Sequence, residues 1–150
     1  MKRKLINVLF IAVIAVMAFT VTSCSDDTPS FNETQWEVVN ITVPSGDWVW
    51  NDIDGVDGFY SATYNLPEMS DFIFTDGAAL GYYYFDSRSK TALPYVKSYY
   101  DNAAQLYYTE TYSCDFQVGS PSKVTFYLEM SDLQGFDNPP SANFQIVLIW

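Results

Sequence analysis

Histidine is absent from this 150-residue chain, and its seven Lys and Arg stand against 18 Asp and Glu. Without an imidazole, neither a Ser-His-Asp nor a Cys-His nucleophilic centre can be assembled. The commonest general base, a common zinc ligand and the usual switch near neutral pH are lost with it. Three of the seven cations, Lys2, Arg3 and Lys4, crowd the first residues. Beyond residue 23 only Arg88, Lys90, Lys97 and Lys123 face all 18 acids, which leaves a charge of −14. The basic stripe that displaces counterions from phosphates is missing, so nucleic acid is not an expected partner. There is no glycine-rich phosphate loop, internal repeat or low-complexity tract, and no helix-period segment of useful length. Cysteine occurs only at positions 24 and 114.

Aromatic residues are plentiful, at 18% of the chain. From Gln35 onward, β-branched and aromatic residues alternate with polar ones between Gly-, Pro- and Asp-rich turns, the pattern of short strands. Strands are expected near Trp36–Val43, Asp47–Asn51, Phe59–Asn65, Phe72–Phe74, Ala78–Phe85, Leu106–Phe116, Lys123–Met130 and Phe144–Trp150. The clearest is Lys123–Met130, with Val124, Phe126, Leu128 and Met130 facing in. Tyr95–Gln105 is ambiguous and could hold a turn of helix. The last segment is apolar on both sides and reads as a central strand covered on both faces. Seven to nine such strands predict an all-β fold, a two-sheet antiparallel β-sandwich of immunoglobulin-like or jelly-roll-like type. Residues 35–150 form that single domain, preceded by a polar tether over 24–34.

The N-terminal layout resembles a bacterial lipoprotein signal. Three basic residues precede an apolar run from Leu5 to Val21, which ends in Val21-Thr22-Ser23-Cys24. Seventeen residues reach about 26 Å as a helix, short of the ~30 Å hydrocarbon core, which favours a cleaved signal over a permanent span. The resemblance implies removal of residues 1–23 and attachment of diacylglyceryl and acyl chains (a palmitate-type modification) at Cys24. Two or more chains suffice for stable anchoring. Ser25-Asp26-Asp27 resembles the acidic export tag of Bacteroidetes surface lipoproteins, whereas Thr28 and Pro29 depart from it. The implied location is the outer membrane, lipid-anchored and surface-exposed. A lipidated Cys24 leaves Cys114 unpaired. A Cys24–Cys114 disulfide is the rival arrangement.

Four further stretches carry a wider resemblance: Trp48-Val49-Trp50, Ser70-Asp71-Phe72-Ile73-Phe74, Leu93-Pro94-Tyr95-Val96 and Phe144-Gln145-Ile146-Val147-Leu148-Ile149. In the order of these features the chain is similar to small surface lipoproteins of the Bacteroidetes over most of residues 34–150. These are packing and turn motifs, and they imply neither an activity nor a catalytic residue. The expected role is a non-enzymatic structural or protein-interaction module, with an envelope protein or a glycan as partner.

Three constellations remain. Asp52, Asp54 and Asp57 offer oxygen ligands suited to Ca²⁺, but their spacing fails the EF-hand pattern, and a hairpin loop explains the Asp-Gly pairs. Paired carboxylates could hydrolyse glycosides, yet an acid catalyst needs a carboxyl raised by burial, and no acid is evidently set in an apolar strand face. Trp48 and Trp50 fall on one side of a short strand, where exposed rings could stack on sugars. The competing use of such rings is core packing, since each buries ~150–250 Å². Cys114 shares a face with Tyr112 and Phe116 and is expected to act as a small buried hydrophobe rather than a reactive thiol.

Overall fold

Strict alternation in the sequence becomes two apolar sheet faces pressed together. A computed structural model describes residues 33–53, 58–132 and 139–150, within which Thr34–Trp150 form one compact unit. Nine strands make it up: β1 (Trp36–Val43), β2 (Val49–Asp52), β3 (Gly58–Asn65), β4 (Ala78–Tyr84), β5 (Lys90–Ala92), β6 (Tyr95–Asp101), β7 (Leu106–Gln117), β8 (Lys123–Met130) and β9 (Ala142–Ile149). They form a four-stranded sheet in the order β1-β9-β4-β5 and a five-stranded sheet in the order β2-β3-β8-β7-β6, with every pairing antiparallel. The fold is an all-β two-sheet sandwich.

The core lies between the inward faces of β8 and β9. Val124, Phe126, Leu128 and Met130 from one sheet meet Ala142, Phe144, Ile146 and Leu148 from the other, all buried. Phe126 and Phe144 stack across the gap, with centroids 4.1 Å apart and planes 12° from parallel. Tyr83 of β4 extends this column, stacking on Tyr112 at 4.7 Å and on Tyr95 at 5.6 Å. Where β4 passes β7, the sheets are held close by a missing side chain. A Cβ on Gly81 would come within 2.6 Å of Cys114 Sγ and 3.0 Å of Leu93 Cδ1.

Three expectations are corrected. Phe72–Phe74 is not a strand but the middle of a helix, α1 (Asp71–Asp76). Ser70 caps it by accepting a hydrogen bond from the Ile73 N–H at 3.2 Å, a local bond that outweighs the β preference of two phenylalanines. Ile73 is buried while Phe72 and Phe74 stay exposed. Tyr95–Gln105 holds no helix: β6 occupies its first seven residues by pairing with β7, and a turn follows. β9 is central, hydrogen-bonded to β1 and β4, but it is not buried on both sides. Its inward residues are covered, whereas outward Val147 and Ile149 are half-buried. The strand β5, three residues long, had no signal of its own.

Gly81→Ala should destabilise the fold by about 1–3 kcal/mol through overpacking against Cys114. Gly81→Ala combined with Cys114→Ala should recover part of that loss in denaturant titrations. A double variant no more stable than Gly81→Ala would show that the Sγ contact does not limit how close the sheets come.

Candidate functional site

The outward face of the four-stranded sheet is divided along its strands. Antiparallel register places Trp36, Ile149 and Ala78 in one cross-strand row, Val38, Val147 and Leu80 in the next, Asn40, Gln145 and Tyr82 in a third, and Thr42, Asn143 and Tyr84 in a fourth. The first two rows are apolar and the last two carry amides and hydroxyls.

Gln145 organises the polar half. It is only 8% exposed although it faces away from the core. Its Oε1 accepts from Lys90 Nζ at 2.6 Å, and its Nε2 donates to Asn40 Oδ1 at 2.9 Å and to the Tyr84 hydroxyl at 2.8 Å. Lys90 reaches it across the face of Tyr82, 4.8 Å from the ring centroid. Beside this network, Thr42 Oγ1 donates to Asn143 Oδ1 at 2.7 Å. Both asparagines thus spend their carbonyl oxygens internally, and their Nδ2 groups have no partner among the described residues. A groove of about 530 Å³ opens over these groups. Asn40, Thr42, Asn143 and Tyr84 line it together with Phe85, Asp86 and Ser87 of the β4–β5 loop. Asp86 Oδ1 accepts from the Arg88 N–H at 2.7 Å, which fixes the loop. Phe85 is 48% exposed.

A second polar cluster lies on the inward face of β6 and β7. Lys97 faces Glu110 and Tyr99 faces Tyr108 across the strand pair. Tyr99 and Tyr108 stack at 5.4 Å, and Lys97 sits 4.4 Å from the Tyr99 ring centroid. Glu110 is 6% exposed. Burial pushes its carboxyl above the ordinary 4.5, against the opposing pull of the Tyr99 hydroxyl and the Lys97 charge. The expectation that no acid occupies an apolar strand face is therefore corrected. The signal was present: the alternation through Tyr112, Cys114 and Phe116 reaches Glu110 when carried two residues back.

The residues singled out in the sequence fare differently. Trp48 is 7% exposed. Its Nε1 donates to the Pro140 carbonyl at 2.9 Å, and its ring meets Phe144 edge-on at 6.5 Å. Trp50 is half-buried with its edge to Tyr60 at 4.9 Å, and a Cβ on Gly58 would strike its ring. Both indoles face the core, so they are placed for packing rather than for a sugar. Exposed aromatic surface instead comes from Trp36, Phe72, Phe74, Phe85, Tyr100 and Tyr107. Tyr100 and Tyr107 pair tilted at 4.8 Å on the outward side of β6 and β7. Asp52 ends β2 on the surface, while Asp54 and Asp57 lie outside the described residues. Among the described residues no group of three acids or thiols is arranged to hold a metal ion. Cys24 and residues 1–23 also lie outside them, as does most of the tether. Cys114 carries no disulfide, and burial pushes its thiol up to about 11, aided by neighbouring Asp115. A thiol held that high stays protonated and unreactive at neutral pH. Among the described residues no helix is long and apolar enough to cross a membrane.

Comparison with family models, curated proteins and solved structures finds no match to the chain.

Glu110 supplies a pH test. Its raised value means that the folded state holds the proton more tightly than the unfolded chain, so stability falls as pH rises through and above the ordinary carboxylate range. Glu110→Gln should melt at a higher temperature than wild type at pH 8, with the gap closing by pH 4. A gap independent of pH would show that the carboxyl's burial carries no such linkage.

Proposed function

We propose that this chain is a lipid-anchored, non-enzymatic interaction module displayed at the bacterial outer surface, tethered through Cys24. The observation that carries the interaction reading is the apolar half of the four-stranded sheet. Trp36 is 69% exposed, and Leu80 and Val38 are also exposed, at 44% and 37%. They surround Val147 and Ile149 in two adjacent rows. Exposed Phe72 and Phe74 lie on α1, which packs against β4 at the same end of the sheet. Isolated surface hydrophobes are ordinary, but a contiguous set on a flat sheet face is the signature of a contact surface. Phe72 and Phe74 sit between Asp71 and Asp76, in a chain with 18 acids. The partner that this chemistry fits is an envelope protein with an apolar face rimmed by Lys and Arg. The anchor supplies proximity: confinement to the same membrane raises the effective concentration of such a partner and makes a modest face sufficient.

The supporting chemistry for the anchor is the thiol at the end of the apolar leader, the only residue type that forms a thioether with a diacylglyceryl group. Cells fed a clickable fatty acid should label wild type strongly and Cys24→Ser not at all, and the serine variant should leave the membrane fraction. Equal labelling of the two removes the anchor.

The contact surface has its own test. A photo-crosslinking residue placed at Val38 or Leu80 should yield one discrete adduct on whole cells that weakens in high salt, while the same residue at Thr63 on the other sheet should give none. No adduct at either position, or identical adducts at all three, would remove the interaction reading and leave the anchor unaffected.

A further inference from the structure

The groove over Asn40, Asn143 and Tyr84 is built differently from an ordinary solvated sheet face, and we infer that it binds a neutral saccharide. This inference goes beyond the proposed function and does not depend on the lipid anchor.

Three features carry it. The first is pre-organisation. Outward side chains on a sheet normally relax into water, but here Gln145 is buried and makes three hydrogen bonds, to Lys90, Asn40 and Tyr84. Satisfied networks of this kind hold their members in one arrangement. The cost of ordering Asn40 and Tyr84 is thereby met before any ligand arrives, which strengthens binding. The second is the direction of the groups that remain. Because Asn40 and Asn143 engage their oxygens within the sheet, each has an amide N–H₂ left to donate. Thr42 Oγ1 spends its proton on Asn143 and keeps lone pairs, and Asp86 retains an oxygen beyond the one that holds the Arg88 N–H. Donors and acceptors thus line one groove together. Vicinal hydroxyls of a sugar ring, each both donor and acceptor, match that arrangement, whereas a purely apolar ligand would leave these groups unpaired. The third is Phe85, which lines the groove beside Asp86 and is 48% exposed, its ring held edge-on by Tyr83 at 5.3 Å and Tyr95 at 4.8 Å. It offers an apolar surface to the C–H face of a pyranose. The groove's volume of about 530 Å³ lies within the range of small-molecule sites and accommodates one or two sugar rings.

Charge selects among saccharides. Asp86 lines the groove, and of the two cations between β4 and the end of β5, Lys90 is committed to Gln145 and the Tyr82 ring while Arg88 is not among the lining residues. Uronates and other anionic sugars would meet uncompensated repulsion, so the class is the neutral hexoses and N-acetylhexosamines. None of the groove residues belongs to the apolar rows assigned to a protein partner, and Trp48 and Trp50 take no part.

Saturation-transfer NMR on the full chain in detergent micelles, against methyl glycosides of glucose, galactose, mannose and N-acetylglucosamine with methyl glucuronide as the anionic control, tests this. At least one neutral glycoside should receive saturation, the glucuronide should not, and EDTA should change nothing. Asn143→Asp, which keeps the shape but replaces the donor with an acceptor, should weaken binding about tenfold, the equivalent of one lost hydrogen bond. Asn40→Asp should do the same, and Trp50→Phe should leave binding unchanged. Amide spectra of each variant establish that the sheet is intact. Silence from all four neutral glycosides, equal binding of the glucuronide, or undiminished binding by both folded asparagine variants would overturn the inference. None of these outcomes bears on acylation at Cys24 or on crosslinking at Val38.

Discussion

Everything outside the core depends on the stacking of Phe126 on Phe144. That contact fixes which side of β9 faces the opposite sheet, and the pleat does the rest: because successive side chains point to opposite faces, burying Phe144 sends Gln145 outward. A slip of one residue would invert both. The same pleat in β4 sends Tyr83 into the aromatic column and Tyr82 and Tyr84 out beside Gln145. Core packing and the outer polar network are therefore one constraint seen from two sides. A sequence that satisfied the core in this register had no freedom left in where its amides would lie.

The outer face shows how little separates two kinds of surface. Moving along β9 from Ile149 and Val147 to Gln145 and Asn143, the neighbours on β1 and β4 change in step, from Trp36, Val38, Ala78 and Leu80 to Asn40, Thr42, Tyr82 and Tyr84. Each strand crosses the boundary at the same height. Cross-strand neighbours of like character are favoured because an amide beside a valine loses hydration without gaining a partner. The division requires no insertion or extra layer, only three strands that change polarity together. It leaves a dry contact surface and a wet groove in adjoining rows.

How much of this was legible depended on whether the information was local. β8 could be read directly, since Val124, Phe126, Leu128 and Met130 alternate without a fault, and β1 likewise. The helix α1 could not, because six residues with two phenylalanines resemble a strand and only the Ser70 cap says otherwise. β5 is too short to carry a period and exists because Thr91 and its neighbours pair with β4. The roles of Trp48 and Trp50 turned on which side of β2 met the second sheet, a question of tertiary arrangement. The least legible feature was the network at Gln145. It joins residues from β1, β4, β5 and β9, and no local pattern announces that strands so far apart in the chain lie side by side. Glu110 is different: its place on the inward face follows from the same alternation that places Tyr112, although a carboxylate is not expected there.

At the start of β1 the Gln35 N–H donates to the Trp150 carbonyl and the Trp150 N–H donates back to Gln35, with the indole Nε1 adding a third bond to the Gln35 side chain. This clasp sits where the segment before residue 34 joins the edge strand, so a mechanical load entering from that side meets it first. Pulled away from β9, the ladder would yield rung by rung instead of all at once, and the doubled bond with its indole latch is the rung that must break before any other. Under such a load the clasp would work as a strain relief, as at a cable joint, and would shield the remaining rungs of the edge strand from tugging at its root.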